Sequence, residues 1–288
     1  MLTEIAQLVV HGLMAGTILA VPAIGFNAVY AVLRFPNFTV ASFMTIGAFT
    51  GFVANVYGGW PAALAVGAAF LVAGALGVLT DEVVLKPLRP TGALATAIAS
   101  VALTIALENV VRFCFGNDLR GYDLPVYRDW RIQGVRVGPQ QVENMIMAVI
   151  AMIIVFSFLT FTRMGKAMRA VADNPMLAGV KGIDAEAVAR TATFAGMGLA
   201  GIGGMLFGLD TSIDPLVGFR AMLSVFAAAV VGGLGSIPGA VVGALTVGVA
   251  EELSLLVLAP AYRTAVGFFA ILLVLSFRPR GILGERAY

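Results

Sequence analysis

The sequence predicts an all-α fold: a polytopic α-helical membrane protein with about eight to nine transmembrane or partly spanning helices. Of the 288 residues, 60% are hydrophobic and only 12% are charged. Ordinary soluble domains have roughly 45–50% apolar and about 25% charged residues, so a water-soluble chain of this composition would expose large apolar patches and aggregate. The second observation is that the apolar residues are grouped into runs of the length that crosses a bilayer.

Nine apolar runs follow one another along the chain. They cover residues 8–33, 40–56, 62–79, 94–115, 145–161, 188–209, 222–234, 240–258 and 265–277. A helix needs about 20 residues to cross about 30 Å of hydrocarbon, with some tolerance for tilt. The seventh and ninth runs are short enough to be half-spanning or re-entrant, and eight full crossings with one partial segment fit equally well. We treat residues 1–288 as a single transmembrane domain.

Prolines and polar loops separate these runs. Prolines lie at Pro36-Asn37 after the first run, at Trp60-Pro61 before the third and at Ile237-Pro238 before the eighth. A polar loop at 116–141 separates the fourth and fifth runs, and a basic loop at 162–184 separates the fifth and sixth. No Lys or Arg precedes Arg34, so the first run lacks the basic region of a cleavable signal peptide and is expected to remain as a span.

The distribution of Lys and Arg predicts the orientation. With nine crossings and the N-terminus outside, the cytoplasmic segments contain Arg34, Lys86, Arg89, Arg163, Lys166, Arg169, Lys181, Arg190, Arg278, Arg280 and Arg286. These are eleven of the 18 Lys and Arg residues, and cytoplasmic loops of membrane proteins keep such residues. We therefore expect a multi-pass membrane protein in this orientation, with the lipid bilayer as a partner.

Several function classes are disfavoured by composition. A net charge of +2 without a basic stripe argues against nucleic acid. Cys114 is the only cysteine, so neither an internal disulfide nor a multi-cysteine metal site is predicted. No catalytic group is predicted, and no phosphate-binding loop is present, because Gly165-Lys166 is followed by Ala167 rather than Ser or Thr. We expect no enzyme activity, metal or cofactor in this chain.

The basic loop at 162–184 combines cations with a helical apolar pattern. Met164, Met168 and Val171 recur at spacings of three and four, which predicts a short amphipathic helix on the membrane face. Asn174-Pro175 is expected to end it. One interpretation is a docking surface for a soluble partner, and the other is a solvated loop whose cations only set topology. The candidate contact residues are Arg163, Met164, Gly165, Lys166, Ala167, Met168, Arg169, Ala170, Asp173, Asn174, Lys181 and Gly182.

Polar residues inside the apolar runs are candidates for a solute path, because such groups are costly in lipid. They are Asn27, Asn37, Thr45, Thr96, Ser100, Thr104, Glu108, Ser224 and Glu251. Glu108 and Arg112 lie four residues apart and are expected to pair. Glu251 and Glu252 are consecutive, so we expect them to face different partners. Asn37 either caps a helix or lies beside a helix N-terminus whose free amides point to a carboxylate.

The basic loop resembles the coupling loop of branched-chain amino acid ABC importer permeases of the LivH type. The similarity lies in residues 163–170 followed by Lys181-Gly182-Ile183-Asp184. Three more segments agree in order and spacing over almost the whole chain. They are Lys86-Pro87-Leu88-Arg89 with the preceding Asp81-Glu82, the segment 232–240, and Arg280-Gly281-Ile282-Leu283-Gly284.

This resemblance implies an importer permease of the bacterial inner (plasma) membrane that works with a second, homologous permease, two cytoplasmic ATPases that use ATP and magnesium, and a periplasmic solute-binding protein. The sequence departs from the family at Asn37-Phe38-Thr39-Val40-Ala41, where such permeases usually read Asn-Phe-Ala-His-Gly. The solute therefore stays open between a branched-chain amino acid and urea, short amides or aromatic acids. The alternative function is an ion-coupled secondary carrier with Glu108 or Glu251 as its proton or cation site.

Overall fold

The computed structural model describes residues 2–124, 128–132 and 135–284. Arg286, one of the predicted cytoplasmic cations, lies outside these ranges. The helices are α1 (Leu2–Leu33), α2 (Val40–Phe52), α3 (Ala62–Thr80), α4 (Ala93–Phe115), α5 (Pro139–Phe161), α6 (Arg163–Asp173), α7 (Pro175–Val180), α8 (Ala185–Asp210), α9 (Val217–Gly232), α10 (Ile237–Ser254) and α11 (Arg263–Phe277). Two short strands, β1 (Trp130–Ile132) and β2 (Val135–Val137), form an antiparallel hairpin.

Seven helical segments in the described ranges are long and apolar enough to cross a membrane, and α9 and α11 are shorter apolar helices. The polytopic all-α prediction is confirmed, including the two runs that were too short for full spans. Some predicted ends were wrong. Helix α5 begins at Pro139, six residues before the predicted start at 145, because Gln140, Gln141 and Asn144 are polar yet helical.

Helices α2 and α3 continue beyond their regular α-helical turns. Residues Val53–Tyr57 and Asp81–Leu85 form single π-helical turns, and Lys86–Thr91 follows as a 3₁₀ helix. This places the charged segment at the C-terminal end of α3 directly before α4. A wide helical turn of this kind is frequent where a helix is locally distorted for packing or function.

Helix α8 forms the centre of the bundle and packs against α1, α2 and α3. Its glycines allow backbone-to-backbone contact. A Cβ atom added at Gly204 would lie 1.8 Å from the carbonyl oxygen of Met44, and one added at Gly47 would lie 2.2 Å from Cα of Gly201. In lipid, close approach of this kind is a main source of helix association. The core is therefore held by small residues rather than by large side chains alone.

The loop between α4 and α5 covers the outer end of the bundle. Arg120 pairs with Ile213 in an isolated antiparallel bridge, and the Tyr122 hydroxyl donates a 2.8 Å hydrogen bond to the carbonyl of Ala48. Burial raises the pKa of Tyr122. The side chain of Gln7 donates to the carbonyl of Arg136 at 2.6 Å. These contacts place the N-terminus of α1 and this loop on the same side.

Candidate functional site

The basic loop folds into two short helices, α6 and α7. The hydroxyl of Thr162 accepts a 3.0 Å hydrogen bond from the amide of Gly165 and caps α6. Asn174 ends α6, and its Oδ1 atom accepts from the amide of Leu177 at 3.0 Å, which caps α7. The predicted break at Asn174-Pro175 is therefore present. Gly182 closes α7 with φ of +80°, the left-handed conformation that favours glycine.

Helix α6 lies on the bundle with one buried and one exposed face. Met168 and Val171 are buried in a cluster with Leu159 and Val188. A Cβ atom at Gly165 would lie 2.5 Å from the Leu159 carbonyl oxygen, so α6 contacts the end of α5 through backbone. The exposed positions are occupied by Arg163, Lys166, Arg169 and Asp173.

Helix α7 exposes apolar side chains on the basic face of the protein. Met176 is 82% exposed and Val180 is 80% exposed, and Lys181 beside them is also exposed. Water, not hydrocarbon, surrounds the ends of a membrane protein that carry its cations. Clustered apolar side chains exposed to water mark a surface that binds another protein or a membrane. We call residues 163–182 the α6–α7 platform.

The connection between α1 and α2 is a non-helical segment, which we call the 34–39 break; it begins at the exposed Arg34 and alternates between buried and half-buried residues after it. Asn37 is 2% exposed, and its Oδ1 atom accepts from the amide (3.1 Å) and the hydroxyl (2.7 Å) of Thr39. The N-cap of α2 is Thr39, so the prediction that Asn37 caps a helix was wrong: its side chain bonds two residues ahead and stabilises a turn. Its Nδ2 atom has no hydrogen-bond partner among the described residues.

One face of α4 carries a buried polar stripe toward this break. Residues four apart on a helix share a face, and the stripe consists of Thr96, Ser100, Thr104 and Glu108, all at most 5% exposed. The Ser100 hydroxyl accepts a 3.0 Å hydrogen bond from the amide of Phe38, and the Thr104 hydroxyl donates a 3.0 Å bond to the carbonyl of Phe38. Three predicted path residues, Asn37, Ser100 and Thr104, are thus brought together.

The Phe38 ring of the 34–39 break packs against two other aromatic rings. The ring centroid of Phe38 lies 6.4 Å from that of Phe26 on α1 and 5.7 Å from that of Phe226 on α9, and the last two are 5.9 Å apart. Rings at these separations attract one another. The 34–39 break is therefore tied to α4 through its backbone and to α1 and α9 through one aromatic side chain. The sequence did not single out these phenylalanines.

The remaining path candidates lie elsewhere. Thr96 donates to backbone carbonyls at the start of α4, and Asn27 donates to Gly233 (3.2 Å) and Ser236 (2.9 Å) at the α9–α10 turn. The Thr45 hydroxyl accepts from the amide of Gly218 at 3.2 Å. The candidates therefore form separate groups rather than one continuous line.

Two predicted charge arrangements were wrong. Glu251 and Glu252 do not face different partners, because Arg263 reaches both: its Nη2 atom lies 2.6 Å from Oε1 of Glu252 and its Nε atom lies 3.7 Å from Oε2 of Glu251. The long guanidinium at the start of α11 crosses the gap between the two carboxylates. Ser224 also donates to Glu251, at 2.6 Å.

The predicted Glu108–Arg112 pair does not form as an ion pair within the described residues. Glu108 Oε1 and Arg112 Nε are buried without hydrogen-bond partners there. The Nδ2 atom of the neighbouring Asn109 side chain donates to the carbonyl of Ile105 at 2.7 Å. Glu108 lies on the same buried stripe as Thr104, and Arg112 follows one turn later on that face, but no nitrogen of Arg112 lies within 4.0 Å of the Glu108 carboxylate.

A network of charges at the C-terminal end of α3 and the N-terminal end of α8 was missed as a site. Lys86 lies 2.9 Å from Glu186 and 3.6 Å from Glu82, and Arg190 lies 2.5 Å from Glu82. Arg89 pairs with the buried Asp81. The available signal was the dense charge at 81–89 directly after an apolar run. The partners on α8 are about 100 residues away along the chain, which sequence spacing does not reveal.

Comparison with known proteins assigns the family. The family described as "Branched-chain amino acid transport system / permease component" matches residues 8–276. The chain belongs to this family. The permease is 32% identical over 97% of its length to the high-affinity branched-chain amino acid transport system permease protein BraD of Pseudomonas aeruginosa, 95% of which is covered. It is equally similar to LivH of Escherichia coli, with the same coverage, and 27% identical to a probable LivH of Methanocaldococcus jannaschii over 93% of this chain and 89% of that one.

A solved structure confirms the fold at greater distance. PsaBC from Streptococcus pneumoniae in complex with Fab superposes with a TM-score of 0.52 at 14% identity and covers 97% of both chains. The family assignment supports a transport permease of the inner membrane over the ion-coupled carrier that the sequence left as an alternative. It also makes the permease one component of a larger transport system rather than an enzyme.

Proposed function

We propose that this permease carries a branched-chain amino acid into the cell as the membrane component of an ATP-driven importer. Its partners are a second, homologous permease, two cytoplasmic ATPases that bind ATP and magnesium, and a periplasmic solute-binding protein. The relatives BraD and LivH are named as permeases of high-affinity branched-chain amino acid transport systems. The single observation in the structure that carries the proposal is the α6–α7 platform.

The platform has the properties of a docking surface for a cytoplasmic ATPase. Arg163, Lys166 and Arg169 provide exposed cations, and Met176 and Val180 provide exposed apolar contacts. Central apolar residues surrounded by charged ones are typical of protein–protein interfaces. The opposite face of α6 is packed on α5 and α8, so force applied to the platform acts directly on the bundle.

The 34–39 break and the polar stripe of α4 suit a neutral amino acid. The unpartnered Nδ2 atom of Asn37 is a donor for a carboxylate, and the unpartnered Oε1 atom of Glu108 is an acceptor for an ammonium group. Phe26, Phe38 and Phe226 offer apolar surface for a branched side chain. Buried polar atoms without partners are costly, and a passing zwitterion would satisfy both.

The first experiment reconstitutes the permease with its partners in proteoliposomes and measures uptake of leucine together with ATP hydrolysis. We expect uptake that requires ATP and the binding protein. Uptake by this chain alone, driven by an ion gradient, would overturn the proposal. Uptake of urea or an aromatic acid instead of leucine would keep the importer but reject the solute.

A second experiment tests the docking surface. The double variant Met176→Asp, Val180→Asp is expected to lose co-purification with the ATPase and solute-stimulated hydrolysis, because carboxylates would replace apolar contacts. The double variant Arg169→Glu, Ala170→Glu is expected to abolish stimulated hydrolysis while membrane insertion persists. Val257→Asp is the matched control, since Val257 is 88% exposed beyond the other end of α10. Co-purification of the platform variants at the control level contradicts the assignment.

A third experiment tests the path. Glu108→Gln removes the negative charge that would hold an ammonium group, and Asn37→Asp replaces the unpartnered Nδ2 donor while keeping the Oδ1 acceptor for Thr39. We expect each variant to reduce uptake about tenfold or more while ATPase binding is unchanged. Thr246→Val is the control, because its hydroxyl is exposed and bonds only within α10, to the carbonyl of Val242. Equal uptake by the path variants and the control would reject this path.

A further inference from the structure

Arg34 is the residue that connects the platform to the 34–39 break. It has φ of 59° and is the one non-glycine residue with positive φ among the described residues. Its amide donates a 2.9 Å hydrogen bond to the carbonyl of Tyr30 and closes α1 in the left-handed conformation. Glycine is the residue that usually occupies this position, because a Cβ atom is unfavourable there. The backbone conformation therefore does not explain why an arginine occupies this position.

The side chain of Arg34 binds the end of α6. Its Nη2 atom donates to the carbonyl of Ala172, one of the last carbonyls of α6, which have no partner within the helix. Helix α6 has no basic residue in its own last turn and ends in Asp173. A cation is favourable at a helix C-terminus, so Arg34 supplies from α1 the charge that α6 lacks.

The surroundings leave α6 room to move relative to α1. A cavity of about 400 Å³ lies between them, lined among others by Ala31, Phe156, Arg169 and Ile237. On the other side of Arg34, only three residues separate it from Phe38. The backbone of Phe38 is bonded to Ser100 and Thr104, and its ring contacts Phe26 and Phe226.

We propose that Arg34 is a positioning residue for transport: its guanidinium transmits displacement of the α6–α7 platform to the 34–39 break, and through Phe38 to α4 and α9. This inference rests on the proposed function. When the partner ATPase moves the platform, the charge-assisted bond to Ala172 pulls the end of α1 with it. The chain from Arg34 to Phe38 then shifts the contact of the Phe38 ring with Phe26 and Phe226.

The test uses the complete complex in lipid nanodiscs and proteoliposomes, with Arg34→Gly, Arg34→Asn and Arg34→Lys. Glycine and asparagine tolerate the left-handed conformation but cannot reach α6. We expect both to lower leucine uptake per ATP hydrolysed by about tenfold, while the melting temperature of the complex is unchanged or higher. Lysine keeps the charge and is expected to restore part of the ratio. Arg278→Gln, which removes a cation at the end of α11, is the control.

A second readout does not depend on transport. Hydrogen exchange of segments 170–174 and 35–39 is compared with and without ATP in the same complexes. In the unchanged protein, ATP is expected to alter protection of both segments, and in Arg34→Gly only that of 170–174. The inference is overturned if leucine uptake per ATP hydrolysed in Arg34→Gly stays within twofold of the unchanged protein. It is also overturned if ATP alters the protection of segment 35–39 in Arg34→Gly as it does in the unchanged protein. If the unchanged complex itself does not transport leucine, the proposed function fails. The hydrogen-exchange comparison still shows whether Arg34 connects segment 170–174 to segment 35–39.

Discussion

The bundle core around α8 and the α6–α7 platform are built in opposite ways. In the core, glycines such as Gly47, Gly201 and Gly204 bring backbones into direct contact, with no space for a methyl group. On the platform, α6 is held by a few buried side chains and one close approach at Gly165, beside a cavity of about 400 Å³. Close-packed backbone resists deformation, whereas a short helix beside a cavity can shift.

This difference indicates where movement is located. The core transmits displacement as a rigid unit, and the places that can change are its polar connections: the platform, the 34–39 break and the charge clusters at the helix ends. The four predictions that follow test this division, because substitutions in the core should act on folding and substitutions at the connections should act on local stability.

The largest effect is expected for Gly204→Ala. The added Cβ atom would overlap the carbonyl oxygen of Met44, at 1.8 Å, and neither backbone can yield without separating α8 from α2. We expect a loss of more than about 3 kcal/mol, seen as a lower melting temperature or loss of the monodisperse peak in detergent. A variant that melts within 2 °C of the unchanged protein would show that the core is less rigid than its geometry implies.

Arg263→Ala is expected to destabilise the outer end of α10 by about 2 kcal/mol. Breaking a buried pair usually costs more, but Arg263 is 38% exposed and solvent screens part of the charge. Without it, Glu251 and Glu252 are buried together without their cation. Thermal unfolding in detergent measures the change. We expect Arg263→Ala combined with Glu252→Gln to recover part of the lost stability. If the two substitutions destabilise the protein additively, the assignment of Arg263 to both carboxylates is contradicted.

Asn174→Ala removes the cap of α7 and should cost about 1 kcal/mol locally. The bond from the Leu177 amide to Asn174 Oδ1, at 3.0 Å, is lost, so α7 should fray while the rest of the bundle is unaffected. Hydrogen exchange of residues 175–180 is the measurement. Asn174→Asp retains an acceptor and serves as the control; equal exchange in both variants would show that the cap is not what orders α7.

The smallest effect is expected for Gly67→Ala, which should stabilise α3 by up to about 1 kcal/mol. A Cβ atom at Gly67 would meet nothing within 4 Å, and alanine lowers the conformational entropy of the unfolded chain. Gly67→Ala and Gly204→Ala thus make the same chemical change, but the first is expected to raise the stability of the protein and the second to lower it. A destabilised Gly67→Ala variant would show that this face of α3 is covered by a partner.

Much of the fold was predictable because its signals are local. The length of each apolar run, the placement of Lys and Arg, and the Asn174-Pro175 break all act within about 20 residues, the length of one span. The errors fell where polar residues are helical, as at the start of α5, and where a side chain from another helix decides a pairing. Arg263 between Glu251 and Glu252 is such a case, as is Arg34 on the carbonyl of Ala172.

The sequence by itself determined that this chain is a multi-pass membrane protein with a basic, amphipathic segment on one face, since hydrocarbon imposes apolar composition on every span and positive charges concentrate in cytoplasmic loops. Tertiary structure alone decided which polar groups meet. Phe38 meets Ser100 and Thr104 only because α4 is rotated to turn one face toward the 34–39 break. Helix rotation is set by packing between distant segments, and no local pattern encodes it.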